Sequence, residues 1–536
     1  MARIPAVITA DEAVKHVKSG STLGIITFGM LIYPEALAIA LEKRFLETGE
    51  PRDLTLWNAL GGARGKHMGS ERFGHEGFCK KVILSYWLTS PNLVKMALSE
   101  KFEAYNLPLG IMSHLTRAAA GKKPGIITPI GLKTFADPRF GGGKLNAMAK
   151  DNWSEVMTVD GKEYLFFRTP KLDACFIRAT TADPLGNVTS EKEAAVLDIL
   201  AYAQATKANG GTVICQVERL SDIRANPHAV KVPRFLIDYI VVSPEQMVNR
   251  VEVYNPSYTG EIILPKEYVH KHNEYLIEAS KGANPERRLE DWVIARRAAE
   301  ELKPDVIINL GVGMPDIVGT VAQQEGIADE LLFTVETGPI GGVPAASVAF
   351  GESMNPEAIM EQAHLFDAYD GGILDLAFVG AAQIDPDGSV NISKFGTLIA
   401  GIGGFAHITQ NSKEVVFLTT FTGGKELDVV FEEGRLKIKH EGSSIKFKST
   451  INQINFSGPY AREIGKKAIY VTERCVFAQR PEGFTLIEIA PGLDLEKDIF
   501  AQMEFRPLVA EDLKIMDPKL FTGGLLGIKE KWGQKE

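Results

Sequence analysis

The sequence predicts an α/β fold in which two related open-sheet α/β domains are fused in one chain. Apolar runs of strand length alternate with stretches of helical periodicity, which is typical of a mostly parallel sheet with helices on both faces. The 536 residues exceed what one ordinary hydrophobic core holds. The two halves of the chain also resemble each other. We therefore expect an N-terminal domain over residues 1–246, a linker over 247–285 and a C-terminal domain over 286–536.

The first elements follow this alternation. Residues 9–12 are typical of a helix start, because a threonine precedes an acidic turn, and residues 13–17 continue the apolar helical spacing. A strand is predicted over residues 22–27, a helix over 34–45 and a second strand over 54–60.

Two stretches interrupt the pattern. Residues 110–146 are crowded with glycine and proline, and the segments 124–131 and 140–144 are typical of ordered loops close to a ligand. A surface loop over the sheet edge explains them equally well. Residues 247–285 are polar and irregular, as in a linker, but they hold enough apolar side chains to pack against a domain.

An internal repeat relates the halves. Residues 172–179 and 183–188 align without a gap with residues 374–381 and 385–390. Leucine, aspartate, phenylalanine and alanine recur in the first pair of segments, and aspartate, proline, glycine and valine recur in the second. One α/β domain used twice explains this pattern.

The two copies differ at two places that favour chemistry in the second. Residues 401–405 contain three glycines, whereas residues 201–205 in the first half suit a plain helix. Glycines cost backbone entropy, so the cluster predicts amides exposed to an oxyanion or thioester, or else a tight turn that needs positive φ. Glu336 follows the apolar run 331–335, whereas the strand 54–60 has no acidic residue at the matching point.

Glu336 is predicted at the end of a buried strand, directly before a turn rich in glycine and proline. Ligands of open α/β sheets gather at the carboxyl ends of strands, which favours a catalytic carboxylate. A helix cap or a solvated turn is the alternative.

Composition excludes several classes of function. The formal charge of −9 comes without a basic stripe, so we expect no nucleic-acid partner. The four cysteines are scattered without a CxxC motif, and the ten histidines show no ligand spacing, so no metal is expected. Residues 307–315 open like a dinucleotide fingerprint, but Asp316 stands where the third glycine belongs. With neither a leader-like nor a membrane-spanning apolar run, we expect a cytoplasmic protein without membrane contact.

Several motifs together resemble the family I coenzyme A transferases. They are residues 333–344 around Glu336, the glycine cluster 401–405, residues 309–315 and residues 473–492. The similarity extends over nearly the whole chain. The oxoacid branch of the family carries its nucleophile in a Glu-Asn-Gly context, whereas the Glu-Thr-Gly sequence at Glu336 favours the propionate or acetate branch.

The resemblance implies a ping-pong transfer of CoA between short-chain carboxylic acids, through a glutamyl anhydride and a glutamyl-CoA thioester. The substrates would be acyl-CoA and a small carboxylic acid, without a metal or a tightly bound cofactor, and the protein would form a homo-oligomer, a dimer or a tetramer. A thioester hydrolase on the same fold is the alternative. A non-catalytic nucleotide-binding module and a nicotinamide oxidoreductase are less favoured, and the acyl group stays open from acetate to an aryl-propenoic acid.

The resemblance also implies roles for individual residues. Glu336 would be the nucleophile. Residues of the second half would bind the oxyanion or the CoA thiol end, namely Gly401, Gly403, Gly404 and Asn309. Residues of the first half would form the opposite wall of the acyl pocket, namely Phe28, Gly29, Gly141 and Gly142.

Overall fold

The fold was examined in a computed structural model, which describes residues 4–61, 67–249, 251–279 and 288–532. The helices, in chain order, are α1 (Ala10–Ala13), α2 (Glu35–Thr48), α3 (Pro91–Leu98), α4 (Leu109–Ala120), α5 (Ile199–Ala208), α6 (Lys266–Ala279), α7 (Leu289–Ala299), α8 (Asp316–Gln324), α9 (Gln362–Asp370), α10 (Phe405–Asn411), α11 (Gly458–Glu463) and α12 (Ile528–Trp532). None of these described helices is long and apolar enough to cross a membrane.

The strands of the first part of the chain are β1 (Ala6–Val7), β2 (Thr22–Gly29), β3 (Leu54–Gly61), β4 (Cys79–Leu84), β5 (Glu103–Asn106), β6 (Gly125–Thr128), β7 (Ser154–Val159), β8 (Lys162–Arg168), β9 (Ala174–Ala182), β10 (Val188–Thr189), β11 (Thr212–Leu220), β12 (Val230–Val232) and β13 (Tyr239–Val242). Those that follow are β14 (Val306–Leu310), β15 (Leu331–Thr334), β16 (Pro339–Ile340), β17 (Val343–Pro344), β18 (Ser353–Met354), β19 (Ala358–Ile359), β20 (Leu376–Gly380), β21 (Gln383–Ile384), β22 (Val390–Asn391), β23 (Lys394–Phe395), β24 (Leu398–Ile399), β25 (Glu414–Leu418), β26 (Thr422–Gly423), β27 (Asp428–Glu432), β28 (Arg435–His440), β29 (Ser444–Ile445), β30 (Lys467–Val471), β31 (Cys475–Arg480), β32 (Gly483–Ile489) and β33 (Leu508–Ile515).

The chain forms two compact units that are not contiguous in sequence. The first holds the described residues up to Ala279 together with Val335–Asp367 and Gly396–Gly404, and the second holds the remaining described residues. The sequence analysis divided the chain into contiguous domains instead. Glu336 and Gly401–Gly404, which it assigned to the second half, therefore belong to the first unit.

The first unit is built on a mostly parallel sheet. Its strand order is β1-β13-β11-β9-β2-β3-β4-β5, and every pair along this path is parallel. The short strand β10 pairs antiparallel with β9 and β12. The predicted strands over 22–27 and 54–60 are the central neighbours β2 and β3, and the predicted helix over 34–45 is α2.

The second unit repeats this arrangement. Strands β15, β14, β20, β25 and β30 are parallel neighbours in that order, and β31, β32 and β33 extend the sheet. Each unit has its own apolar core on its sheet. Leu56 and Phe176 are fully buried in the first unit, and Ile308 and Phe378 are fully buried in the second.

The internal repeat appears as two matching pairs of aspartates. The carboxylate of Asp173 accepts the amide of Thr22 at 2.8 Å, and that of Asp375 accepts the amide of Ile307 at 2.8 Å. Asp183 and Asp385 each accept two amides of the turn that follows them. The shared residues are therefore those that join neighbouring strands and close a turn, as one domain used twice requires.

The predicted linker packs against the first unit. It contains helix α6, in which Val269 and Leu276 are buried, and the buried side chain of Tyr258 precedes that helix. Residues 280–285, the last part of this predicted linker, lie outside the described residues.

Candidate active site

Glu336 occupies the second position of a tight turn. The carbonyl of Val335 accepts the amide of Gly338 at 2.9 Å, and the amide of Val335 donates to the carbonyl of Pro339 at 3.0 Å. Strand β15 ends at Thr334, one residue earlier than the predicted apolar run 331–335, and Glu336 follows its carboxyl end. Gly338 has φ +135°, and a Cβ there would lie 2.2 Å from the carbonyl oxygen of Met360, so only glycine fits. The Glu336 side chain is thus held on a fixed backbone while the residue is 6% exposed.

Phe28 lies against the same turn. The hydroxyl of Thr337 donates to the carbonyl of Gly351, and a Cβ on Gly351 would be 2.8 Å from a ring carbon of Phe28. The Phe28 ring also contacts Phe350, with 5.8 Å between the ring centroids. Phe28, one of the predicted wall residues, and Thr337, the residue that follows Glu336, therefore both lie against Gly351.

Gly29 is the last residue of β2 and has φ +63°. Its carbonyl accepts the hydroxyl of Thr27 at 2.9 Å. No heavy atom of a non-neighbouring described residue lies within 4 Å of the position a Cβ would take. The end of β2 therefore leaves open space beside Phe28.

The loop Gly401–Gly404 is fixed by one carbonyl of the first unit. The amides of Ile402 and Gly403 both donate to the carbonyl oxygen of Ser85, at 2.8 and 3.0 Å. Gly401 has φ +88°, and a Cβ there would lie 2.6 Å from the same oxygen. Gly403 has φ +56°, so the positive-φ turn explains the glycines at these two positions. The amide of Gly404, by contrast, has no acceptor in the described part of the chain.

The loop that contains Gly141 and Gly142 is connected to this arrangement through Asn106. Gly141 and Gly142 have φ +114° and +59°. The carbonyl of the next residue, Gly143, accepts the amide of Asn106 at 2.8 Å. The side-chain amide of Asn106 then donates to the carbonyl of Ser85 at 2.7 Å. Both glycine-rich loops therefore meet at the end of β5.

Helix α4 links the Gly401–Gly404 loop to the Glu336 turn. The amide of Leu109, its first residue, donates to the carbonyl of Gly403 at 2.9 Å. One turn later Ser113 donates to the side chain of Gln362 at 3.0 Å. Two residues before Gln362, the amide of Met360 donates to the carbonyl of Gly338 at 3.0 Å. The two segments share one helical support.

Asn309 lies in the second unit and holds the strand that leads to Glu336. It pairs with Thr334 in the β14–β15 register, and its side-chain amide donates to the carbonyl of Thr334 at 3.2 Å. The hydroxyl of Tyr369 donates to that of Thr334 at 2.9 Å. The Oδ1 atom of Asn309 is buried without a hydrogen-bond partner among the described residues.

A buried acid follows the loop that anchors the turn. Glu352 is 2% exposed, and its carboxyl accepts the side-chain amide of Asn249 at 3.0 Å. Burial raises the pKa of Glu352 well above its ordinary value, and the neighbouring charge of Glu252 raises it further. Burial therefore favours the neutral form of the Glu352 carboxyl over its carboxylate.

Ser85, Asn106 and Tyr369 belong to no sequence motif and were not among the predicted site residues. Asn106 ends a short strand after apolar and aromatic residues, and such a polar residue at a strand end is the one signal that could have found it. Ser85 contacts the Gly401–Gly404 loop through its carbonyl and through its hydroxyl, which donates to the carbonyl of Gly403 at 3.3 Å. No local sequence pattern signals either contact.

Comparison with known proteins identifies the family. Residues 7–243 match the model of the coenzyme A transferase family. The chain is 39% identical to caffeate CoA-transferase of Acetobacterium woodii, and the alignment covers 98% of each protein. It is 38% identical to acetate CoA-transferase YdiF of Escherichia coli K12, in an alignment that covers 98% of this chain and 96% of that protein.

A solved structure agrees over the same length. The crystal structure of the acyl-CoA transferase YdiF from Escherichia coli O157:H7, a thioester complex with CoA, superposes with a TM-score of 0.89. The two chains are 37% identical, and the match covers 98% of each. Because the fold matches and the sequence similarity extends over nearly the full length, the chain belongs to the coenzyme A transferase family and is a CoA-transferase.

Proposed function

We propose that this enzyme moves CoA between short-chain carboxylic acids of the acetate and propionate type, with Glu336 as the covalent nucleophile. One observation carries the proposal: Glu336 is the second residue of a turn that is hydrogen-bonded on both sides and closed by a glycine that tolerates no Cβ. A nucleophile on such a fixed backbone loses little entropy when it attacks.

The reaction proceeds in two matched halves. A carboxylate oxygen of Glu336 attacks the thioester carbonyl of the donor, and the C–S bond breaks to give a mixed anhydride and CoA thiolate. The thiolate then attacks the glutamyl carbonyl, which releases the donor acid and leaves a glutamyl-CoA thioester. The acceptor carboxylate attacks this thioester and the steps run in reverse. Water takes no part.

Each attack passes through a tetrahedral oxyanion, for which we propose the amide of Gly404 as donor. The amide of Gly403 already donates to Ser85, so Gly403 and Gly401 shape the loop that presents Gly404. Removal of one donor to an oxyanion typically lowers the rate by about 10²–10³-fold. Asn309 acts by holding Thr334, two residues before Glu336.

The acyl group is proposed to lie at the end of β2. Phe28 contacts Gly351, which anchors the Glu336 turn, and Gly29 leaves open space beside it. Gly141 and Gly142 complete the wall in this proposal. An apolar wall excludes water, which would otherwise hydrolyse the anhydride.

The names of two relatives indicate two classes of carboxylic acid that this enzyme could use. The Escherichia coli relative is named an acetate CoA-transferase, whereas the Acetobacterium woodii relative is named a caffeate CoA-transferase at nearly equal identity. An aryl-propenoic acid is therefore the second candidate acceptor. The solved thioester complex of YdiF with CoA supports a covalent thioester on the present chain as well.

Initial-rate kinetics test the proposal. Acetyl-CoA or propionyl-CoA is varied against acetate, propionate, butyrate and caffeate, and the new acyl-CoA is separated and quantified. Parallel double-reciprocal lines and a preference for the short aliphatic acids are expected. A preference for caffeate would favour the second candidate. CoA release at one rate with and without an acceptor would favour the alternative, a thioester hydrolase.

Two further expectations extend the proposal to the whole protein. We propose a cytoplasmic location and a homo-oligomer, a dimer or a tetramer, as the family resemblance implies. Sedimentation velocity of the purified full chain measures the oligomeric state. A species with the mass of one chain, 58.6 kDa, would contradict the proposed homo-oligomer.

A further inference from the structure

Three ligand-type side chains converge on the surface of the first unit, outside the candidate active site. They are Glu42 in helix α2 and His67 and His75, which flank the 3₁₀ helix Gly69–Phe73; together they form the Glu42 cluster. Oε1 of Glu42 lies 2.6 Å from Nε2 of His67 and 2.6 Å from Nε2 of His75. All three donor atoms lie within 4.8 Å of one another.

The local fold holds these donors in place. The amide of Gly69 donates to Glu35 at 3.1 Å, which ties the 3₁₀ helix to the start of α2. Phe45, one turn after Glu42, stacks on Phe78 with 4.3 Å between centroids, and the ring of His75 contacts both. The spacing between the two histidines matches no metal motif, which is why the sequence analysis expected no metal.

The second oxygen of the carboxylate is already engaged. Nη1 of Arg72 donates to Oε2 of Glu42 at 2.8 Å, and Nε of Arg72 donates to Glu35 at 2.7 Å. This leaves Oε1 as the ligand atom and fixes its direction, as outer partners of metal ligands do. Two glutamates and one arginine give a charge of −1 with neutral imidazoles, so the cluster attracts a cation.

A second buried carboxylate strengthens the attraction for a cation. Glu71 is 4% exposed, and one of its oxygens accepts the amide of Asn92 at 2.8 Å. The other oxygen has no hydrogen-bond partner in the described ranges. Glu71 lies close enough to interact electrostatically with both histidines of the cluster. Burial raises the pKa of the Glu71 carboxyl, and a cation between the two rings would favour its charged form.

We propose that Oε1 of Glu42, Nε2 of His67 and Nε2 of His75 bind one divalent metal ion of the zinc type. Two imidazoles and one carboxylate suit such an ion, with metal–ligand distances of about 2.0–2.2 Å. The 2.6 Å separations must open to about 3.3 Å for a tetrahedral site. Both imidazoles must therefore shift by less than about 1 Å, which their side-chain exposures of 51% for His67 and 29% for His75 allow, and solvent supplies the fourth ligand.

The ion would have a structural role. It would join α2 to the two ends of the 3₁₀ helix and so stabilise the folded first unit against unfolding. The proposed transfer reaction uses no residue of the Glu42 cluster. Loss of the ion is therefore expected to lower stability and to leave basal transferase activity at moderate temperature unchanged.

Metal titration of the full chain tests the proposal. Tag-free protein is stripped with a chelator, dialysed and titrated with Zn²⁺ by calorimetry and with Co²⁺ by visible absorption. One ion per chain, an intense tetrahedral Co²⁺ band and a Zn²⁺-dependent rise in Tm are expected. His67→Ala and Glu42→Gln should each weaken binding by about 100-fold or more. The exposed His228 gives the matched control His228→Ala, which should bind as the wild type does.

Two results would overturn the proposal. One is the absence of stoichiometric binding by the wild type, which would leave two imidazole N–H groups donating to one carboxylate oxygen. The other is equal affinity in the wild type and His67→Ala. Since His67 is exposed, this variant is expected to fold, and retained transferase activity shows that it has folded.

Discussion

The amide of Gly403 donates to the carbonyl oxygen of Ser85 at 3.0 Å, in a loop that a sequence-based view assigns to the other half of the chain. The same oxygen accepts the amide of Ile402 and the side chain of Asn106. Three donors to one carbonyl oxygen are unusual, because this oxygen has only two lone pairs. The backbone at the proposed oxyanion site is therefore fixed by a neighbouring strand end rather than by its own sequence.

Gly401→Ala should be more destabilising than Gly403→Ala. Both glycines have left-handed backbones, which costs another residue about 1–2 kcal/mol. A Cβ at Gly401 would also lie 2.6 Å from a carbonyl oxygen, which adds about 1–3 kcal/mol, whereas the position at Gly403 meets no heavy atom of a non-neighbouring described residue. Denaturant unfolding of both variants measures the difference. Equal losses would show that the Ser85 contact does not constrain the loop.

Asn106→Ala should lower both stability and kcat. The side-chain amide donates to the carbonyls of Leu84 and Ser85, at 3.0 and 2.7 Å, and the residue is fully buried. Loss of these bonds is expected to cost about 1–3 kcal/mol. The exposed Asn226 provides the control Asn226→Ala, for which kcat should not change. An unchanged kcat in Asn106→Ala would separate this residue from the proposed oxyanion loop.

Gly338→Ala should lower kcat more than it changes the KM for acyl-CoA. A Cβ there would lie 2.2 Å from the carbonyl of Met360, so the turn must shift and carry Glu336 with it. Small misplacement of a nucleophile costs on the order of 10²-fold in rate. Gly20→Ala, at φ +80° in open space among the described residues, is the control for left-handed strain alone. Steady-state kinetics with propionyl-CoA compare the two variants.

Local pattern predicted the strands and the position of Glu336 well. The alternation of apolar runs indicated β2, β3 and β15, and the repeated aspartates of the two halves occupy matching places. These features depend on a few neighbouring residues, so the sequence carries them directly.

Contacts between residues far apart in the sequence could not be predicted from local patterns. The segment Val335–Asp367 joins the rest of the first unit through such contacts as Ser113 with Gln362 and Phe28 with Gly351, which leave no local periodicity. The convergence of Glu42, His67 and His75 likewise depends on a 3₁₀ helix that folds the chain back onto α2. Tertiary contacts of this kind are not encoded in spacing along the chain.

Glu352→Gln should make stability less dependent on pH. Burial raises the pKa of Glu352, so its contribution to stability is fully present below the unfolded value of about 4.3 and is lost as pH rises through the folded value. Glutamine stays neutral and can still accept from Asn249. Unfolding free energies from about pH 5 to about pH 8 should therefore fall more steeply in the wild type than in the variant. Parallel curves would mean that folding does not raise the pKa of Glu352.

Covalent attachment of CoA to Glu336 is the central step of the proposed reaction. Intact-mass spectrometry after brief incubation with propionyl-CoA, followed by borohydride and peptide mapping, tests it most directly. Glu336→Ala is the inactive variant, and Glu357→Ala, an exposed glutamate of the same segment, is the matched control.

A CoA adduct, or a Glu336 side chain reduced to its alcohol, is expected in the wild type and in Glu357→Ala but not in Glu336→Ala. If the wild type consumes propionyl-CoA without either product on the Glu336 peptide, the covalent route is wrong, and direct hydrolysis becomes the better explanation.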